Sequence, residues 1–361
     1  MAIMTRLGPA VADVLWLKAD EYWSSGRWYR VWPVLRAINA LNPHWVDVYR
    51  FTGWHAAYNL YAQWEIEKSK AERELEEAKK KGKNPEEIAS IKLRIQEAEK
   101  GMRYWLEEGL SVLREGVSRN PDSWEMRFEL GWTYYDKAQD YSRAARWLEQ
   151  AMELATKQYI QGKLEDYPFY LDHLVAHAYE RMPNIKRALR WWYVAKWKVE
   201  QGWSKRVKVD YVAIGAITTI KDWYLRAWKL YEAGRYEEAE RALLEDKLVG
   251  RSPEKYREAL YRLITKREWD WRVPEPADLI GLHLLAKIYE AMGDLRKARD
   301  AWGWCKKFNI HDRYAERMMR YIEQKMREKG LEVPEGLPDW PPWEEKPPFE
   351  LPKEKEEKPE A

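Results

Sequence analysis

Two histidines four residues apart, His173 and His177, are the pair best spaced to hold a metal ion, because positions i and i+4 share one face of a helix. The sequence fixes no third ligand beside them, and the glutamate of a helical metalloprotease motif is absent. Their expected role is therefore to line a surface, and no metal is expected. No glycine-rich phosphate loop joins a strand to a helix, no nucleophile elbow occurs, and no cysteine–histidine set is clustered. Acidic pairs are frequent, but on charged helices they are expected to face water. No cofactor is expected, and the chain is expected not to be an enzyme, with an uncharacterised active site on a binding face as a third alternative. The single cysteine, Cys305, excludes an internal disulfide framework. The 63 basic and 60 acidic residues nearly cancel, to a net charge of +3, which gives no case for a nucleic-acid or anionic-membrane partner. What stands out is 23 Trp and 23 Tyr against 5 Phe: rings with a polar tip suit half-buried or ligand-binding surfaces.

The elements that must position these rings are clearest in residues 278–309. Leu282, Leu285, Ala286 and Tyr289 mark the packed face of one helix, Leu295, Ala298, Trp302 and Cys305 that of a second, and Met292-Gly293-Asp294 separates them. Small residues at Ala286, Gly293 and Ala298 let the helices approach, while Leu285, Tyr289 and Trp302 fill the space beside them. The unit resembles a tetratricopeptide (TPR) repeat, and copies of it recur. That resemblance implies an all-α, right-handed TPR-like solenoid of about six helix pairs, acting as a scaffold for a protein or peptide partner. One elongated body over residues 1–330 is expected, followed by an extended, proline-rich tail at 331–361.

The first repeat runs over residues 13–43, with Pro33 predicting a bend or a late start in its second helix. The second opens with Tyr49, Gly53 and Ala56, but its other half arrives only at Leu106, Gly109, Leu113 and Gly116. Between them, residues 62–105 read as a projecting antiparallel hairpin: Trp64, Ala71, Leu75 and Ala78 face Ile88, Ile91, Ile95, Ala98, Met102 and Trp105 at coiled-coil spacing. Self-association through this hairpin and the 331–361 tail, in a larger and possibly envelope-associated assembly, is the alternative function. The third repeat follows at residues 124–156, with one extra loop residue, and the fourth turns at Met182-Pro183-Asn184. Residues 207–220 are rich in β-branched side chains; a strand is conceivable, but the flanking periodicity favours a buried helix running into the fifth repeat, which carries Trp223, Ala227 and Leu230. Ser252-Pro253-Glu254 starts a further helix, residues 269–276 form a loop, and a polar helix over 311–329 suits the end of the array. The tail holds eight prolines, and its Trp340, Trp343 and Phe349 are suited to anchoring it.

In the TPR family the first helix of each pair lines the concave surface at template positions five, nine and twelve. Matched to this sequence, those positions are Trp16, Asp20 and Trp23; Arg50, Trp54 and Ala57; Phe128, Trp132 and Tyr135; His173, His177 and Glu180; Tyr224, Trp228 and Tyr231; His283, Lys287 and Glu290. Twelve of these eighteen are aromatic or histidine, where composition alone would place about three. The enrichment implies a groove for an apolar or proline-rich segment or a partner helix; the competing account is that the rings stack on one another and close it.

Three strings, residues 12–20 (ADVLWLKAD), residues 54–59 (WHAAYN) and Leu113-Arg114-Glu115-Gly116 followed by Asn120-Pro121, resemble a poorly characterised group of bacterial, membrane-anchored TPR proteins over about the first 150 residues. Members carry a hydrophobic helix immediately before the first string, where this sequence has residues 1–8. The apolar run at 7–17 is too short to span a membrane, is interrupted by Asp13, and lacks a cleavage site after it. A soluble, cytoplasmic chain is expected from this sequence, with attachment to the envelope, through an anchor upstream of it, as the alternative.

Overall fold

The computed structural model describes residues 2–182, 184–245, 279–308 and 311–338. Pro183, the helix expected from Ser252-Pro253, the 269–276 loop, and Trp340, Trp343 and Phe349 lie outside the described residues. Among the described residues every regular element is helical and no strand occurs, so they form an all-α fold of successive helix pairs. It divides into two compact units, Met1–Ala178 with Trp191–Asp210, and Tyr179–Arg190 with Tyr211–Ala361.

In the first unit, α1 (Ala2–Ser24) turns through Gly26 into α2 (Trp28–Leu41). Gly26 sits at φ +70°, a left-handed conformation that costs other residues a steric clash. Ala12 and Ala19 pack against Val31, Leu35 and Ile38, and burying each larger aliphatic chain contributes about 1.5–3 kcal/mol. Helix α2 begins at Trp28 and continues through Pro33, so the late start that proline suggested does not occur.

Helix α3 (Val46–Trp54) passes through one π-helical stretch, His55–Leu60, into α4 (Tyr61–Lys80), and α5 (Pro85–Arg119) returns as one helix of 35 residues. Asn84 Oδ1 accepts the Glu87 N–H at 2.8 Å, and Pro85 occupies the first helical position, where its missing N–H costs nothing. Along the α4–α5 seam Ala71, Ala78 and Ala98 are buried, and Trp64 lies over Gly101, where a Cβ would overlap the indole. Lys68–Glu99 at 3.0 Å and the Arg94–Glu74 pair flank the seam. Nearer the base, α5 meets α3 at Gly109, whose added Cβ would lie 2.7 Å from the Gly53 carbonyl oxygen.

Helices α6 (Trp124–Asp136) and α7 (Tyr141–Ile160) form the next pair. Their turn absorbs its extra residue by placing Gln139 at φ +50°. Helices α8 (Tyr170–Arg181) and α9 (Ile185–Glu200) come next, each shared between the two units.

The second unit holds α10 (Tyr211–Thr218), a second π-helical stretch (Thr219–Tyr224), α11 (Leu225–Glu232), α12 (Tyr236–Glu245), α13 (Leu279–Met292), α14 (Leu295–Phe308) and α15 (Arg313–Glu328). The β-branched segment is thus helical from Tyr211, and it runs through the π-helical stretch into α11, as its flanks suggested. It is not a buried helix, however. Ala213, Ile217 and Ile220 are buried, whereas Tyr211 is 77% and Val212 56% exposed, so the helix is covered on one face. The core of this unit joins Trp223, Leu285, Tyr289, Trp302, Ile322 and Met326. Cys305 is fully buried among them, and burial pushes its thiol well above the ordinary range.

Asp312 caps α15 by accepting the Ala315 N–H at 2.9 Å. Burial alone would raise its carboxyl, but the hydrogen bond and charge of His283, the Ala315 amide and Lys306 outweigh that and hold it below the usual carboxylate range. A carboxyl lowered in the folded state stabilises above its unfolded range, and the contribution is lost as pH falls through the folded value. Asp312→Asn, which can still cap the helix, is therefore expected to lose stability near neutral pH and to show a shallower decline below about pH 4 than the wild type, read from thermal midpoints across pH. An unaltered acid slope would remove Asp312 as a source of the dependence.

Among the described residues no helix is long and apolar enough to cross a membrane.

Candidate functional site

The template residues of the first unit come together as linked rings. Trp16 on α1 meets Trp45 at 5.9 Å between centroids and Phe51 at 5.5 Å. Further along α1, Trp23 stacks on Trp28 at 5.3 Å and touches Phe51, Trp54 and His55. Trp54 then stacks on Tyr58 at 6.2 Å. His55 is buried; its Nε2 lies 3.0 Å from the Trp28 carbonyl oxygen, and burial, against that hydrogen bond, lowers its basicity.

The π-helical stretch changes the register here. An extra residue in the turn rotates the remainder of the helix, so Ala57, assigned to position twelve, is fully buried against α5, and Tyr58 takes its place beside Trp54. Burial pushes the Tyr58 hydroxyl up, with Asp136 adding to the effect, and Lys137 Nζ stands 5.0 Å over both the Tyr58 and Tyr61 rings. Arg50 bridges helices, reaching Glu129 on α6 at 3.5 Å; burial pushes the Glu129 carboxyl up and Arg50 draws it back.

On α6, Phe128 makes an edge contact with Tyr170 at 5.5 Å, while Trp132 stacks on Tyr135 at 5.7 Å and Tyr135 meets Tyr141. On α8, His173 and His177 both abut the buried Trp192, at 5.2 and 4.8 Å. His173 Nε2 is 2.7 Å from Asp210 Oδ2, so the histidine pair is committed to packing and to this carboxylate. No group of three or more His, Cys, Asp or Glu among the described residues is placed to hold a metal ion.

The second unit repeats the theme. Tyr224, Trp228 and Tyr231 form a ladder at 6.2 and 5.7 Å, and burial pushes the Tyr224 hydroxyl up to about 12. Lys287 Nζ lies 5.6 Å from the Trp228 ring and 5.8 Å from Tyr314. His283 stacks on Tyr314 at 5.7 Å, meets Trp302 at 5.0 Å, and binds Asp312 through Nε2 at 2.6 Å. His283, Trp302 and Asp312 thus repeat His173, Trp192 and Asp210, one set in each unit.

All twelve candidates, Trp16, Trp23, Trp54, Phe128, Trp132, Tyr135, His173, His177, Tyr224, Trp228, Tyr231 and His283, are half-buried; none is sealed in the core and none stands clear of it. Glu180, the other template residue that misses the face, is buried. The template overlooked Trp45, Phe51, Tyr58 and Tyr314. Tyr58 lies one place beyond template position twelve, so only the π-helical stretch makes it visible. Tyr314 opens a helix whose polar sequence suggested a mere cover.

No protein-family model matches the chain, and no curated protein matches it. A solved structure to which it is similar is the TPR domain of P58(IPK), at 14% identity over 88% of this chain and 89% of that one, with a TM-score of 0.32.

Proposed function

We propose that this chain is a non-enzymatic scaffold that holds an extended, proline-rich or helical segment of a protein partner against its aromatic faces. The observation that supports the reading is that each of the twelve rings is half-buried. A ring fixed on one side by its neighbours loses little freedom on binding, yet its other side remains to be covered, which is the physical profile of an interface anchor. Lysines over tyrosine and tryptophan rings add cationic points that suit carbonyl-rich or acidic ligands.

Changing Trp54, Trp132 and Trp228 together to alanine tests the reading, because these rings belong to three different first helices. Anchors of this type each contribute about 2 kcal/mol, so recovery of partners in pull-downs should fall at least tenfold while circular dichroism stays that of the wild type. Undiminished recovery by a folded triple variant would count against the faces as binding surfaces.

A further inference from the structure

The cavities, charged clusters and exposed faces outside the aromatic surface lead to one place where this protein already holds a peptide. After α15 the chain turns through Gly330, at φ +68°, and residues 331–338 run without helical structure back onto α14. There Arg299, 1% exposed, gives one guanidinium nitrogen to the carbonyl oxygens of both Pro334, at 3.0 Å, and Gly336. Its other nitrogens are fixed by Glu323 and Asp300, each at 3.2 Å. One α-helical turn along, Gly303 leaves the floor open: an added Cβ would lie 2.9 Å from Pro338 Cγ. Val333 packs on the core of the second unit.

Each feature reads backbone shape rather than side-chain identity. The guanidinium binds carbonyls, Pro334 and Pro338 preset an extended path, and Gly336, at φ +72°, supplies the bend between them. The site therefore takes an extended Pro-x-Gly-x-Pro segment.

We propose that this seat is an exchange site, filled by the chain's own residues 333–338 when alone and by the same residues of a second copy in an assembly. Two observations favour exchange over simple release. The connection is exposed at Leu331, at 49%, and at Glu332, so the hinge of the strap lies outside the core and can turn while residues 333–338 pass from one seat to an identical one. An empty seat, in contrast, strips a buried guanidinium of two acceptors, which is unfavourable in a site closed to water, so the seat exchanges occupants rather than standing vacant. The short tether gives the chain's own strap an effective concentration in the millimolar range, so the second copy competes when chains are concentrated or held side by side. This surface is separate from the aromatic faces and stands or falls apart from them.

The test uses full-length chains carrying Cys305→Ala. One chain has Gly303→Cys and intact Pro338, whose overlap with the new side chain unseats its own strap; the other has Pro338→Cys. After mixing and oxidation, a covalent dimer joining the two chains is expected, and Arg299→Met in the first chain should lower its yield severalfold. Both cysteines in one chain should give a cross-linked monomer. A monomer cross-link without any dimer on mixing overturns the exchange, as does a dimer indifferent to Arg299; no cross-link in either case overturns the seat. A second readout avoids the core: sedimentation of the otherwise unaltered chain should show a concentration-dependent dimer that Pro338→Asp abolishes, and a dimer unaffected by that change also overturns the proposal.

Discussion

Lys198→Met is expected to destabilise the first unit by about 3–5 kcal/mol, the loss typical when one member of a buried ion pair is removed. Lys198 is 4% exposed and satisfies its three N–H donors with Asp172 at 2.8 Å, Tyr167 Oη at 2.7 Å and Thr156 at 3.2 Å. Asp172 is fully buried. Burial pushes the Asp172 carboxyl up and the Lys198 ammonium down, and each partner's charge opposes the shift in the other. Without the lysine the carboxylate has no compensating cation and must be buried charged or take up a proton. The double change Lys198→Met with Asp172→Leu should recover most of the loss, since an apolar pair of similar size can match a buried ion pair. Urea denaturation of the wild type, both single variants and the double variant closes the cycle. A single-variant cost under about 1 kcal/mol would mean that lysine and aspartate are both neutral in the folded chain rather than an ion pair.

Gly109→Val should be nearly as damaging, at about 3 kcal/mol or more, because the neighbour it would strike cannot move aside. The new Cβ would meet the Gly53 carbonyl oxygen at 2.7 Å, the Ala57 Cβ at 2.8 Å and the Ala57 nitrogen at 3.0 Å. Two of these are backbone atoms, so relief requires α5 to part from the first helix of its own repeat. For a unit of this size the penalty corresponds to a fall in Tm of about 10 °C. Gly215→Ala is the control: that helical glycine is exposed with nothing within 4 Å, and alanine there should leave stability unchanged or raise it by up to about 1 kcal/mol. Equal losses from the two changes would show that helix approach at Gly109 is not what matters.

The contrast between those glycines shows where sequence reading succeeds and stops. Periodicity located the helix pairs because burial repeats every three or four residues. It found the α4–α5 seam on Ala71, Ala78 and Ala98. It did not distinguish Gly109 from Gly215, since what a missing Cβ makes room for lies elsewhere in the chain. Lys198 and Arg299 look like ordinary solvated charges on amphipathic helices, and their acceptors are 26 and 35 residues away for Asp172 and Pro334. Spacing placed His173 and His177 on one helical face as lining residues, but it could not show the Asp210 carboxylate that engages His173, which is 37 residues distant. Ala57 went to the wrong face because a helical template assumes 3.6 residues per turn throughout, which the π-helical stretch violates.

That stretch has a consequence for the long arm. Straightening it by removing one residue between His55 and Leu60 would rotate everything in α4 by about 100°, the angle one residue subtends in an α-helix. Trp64, Ala71 and Ala78 would then swing away from α5, and charged neighbours would take their places opposite Ala98 and Gly101. The small irregularity acts as a vernier between two periodicities: one belongs to the repeat, the other to the coiled arm, and neither could be satisfied by an uninterrupted helix.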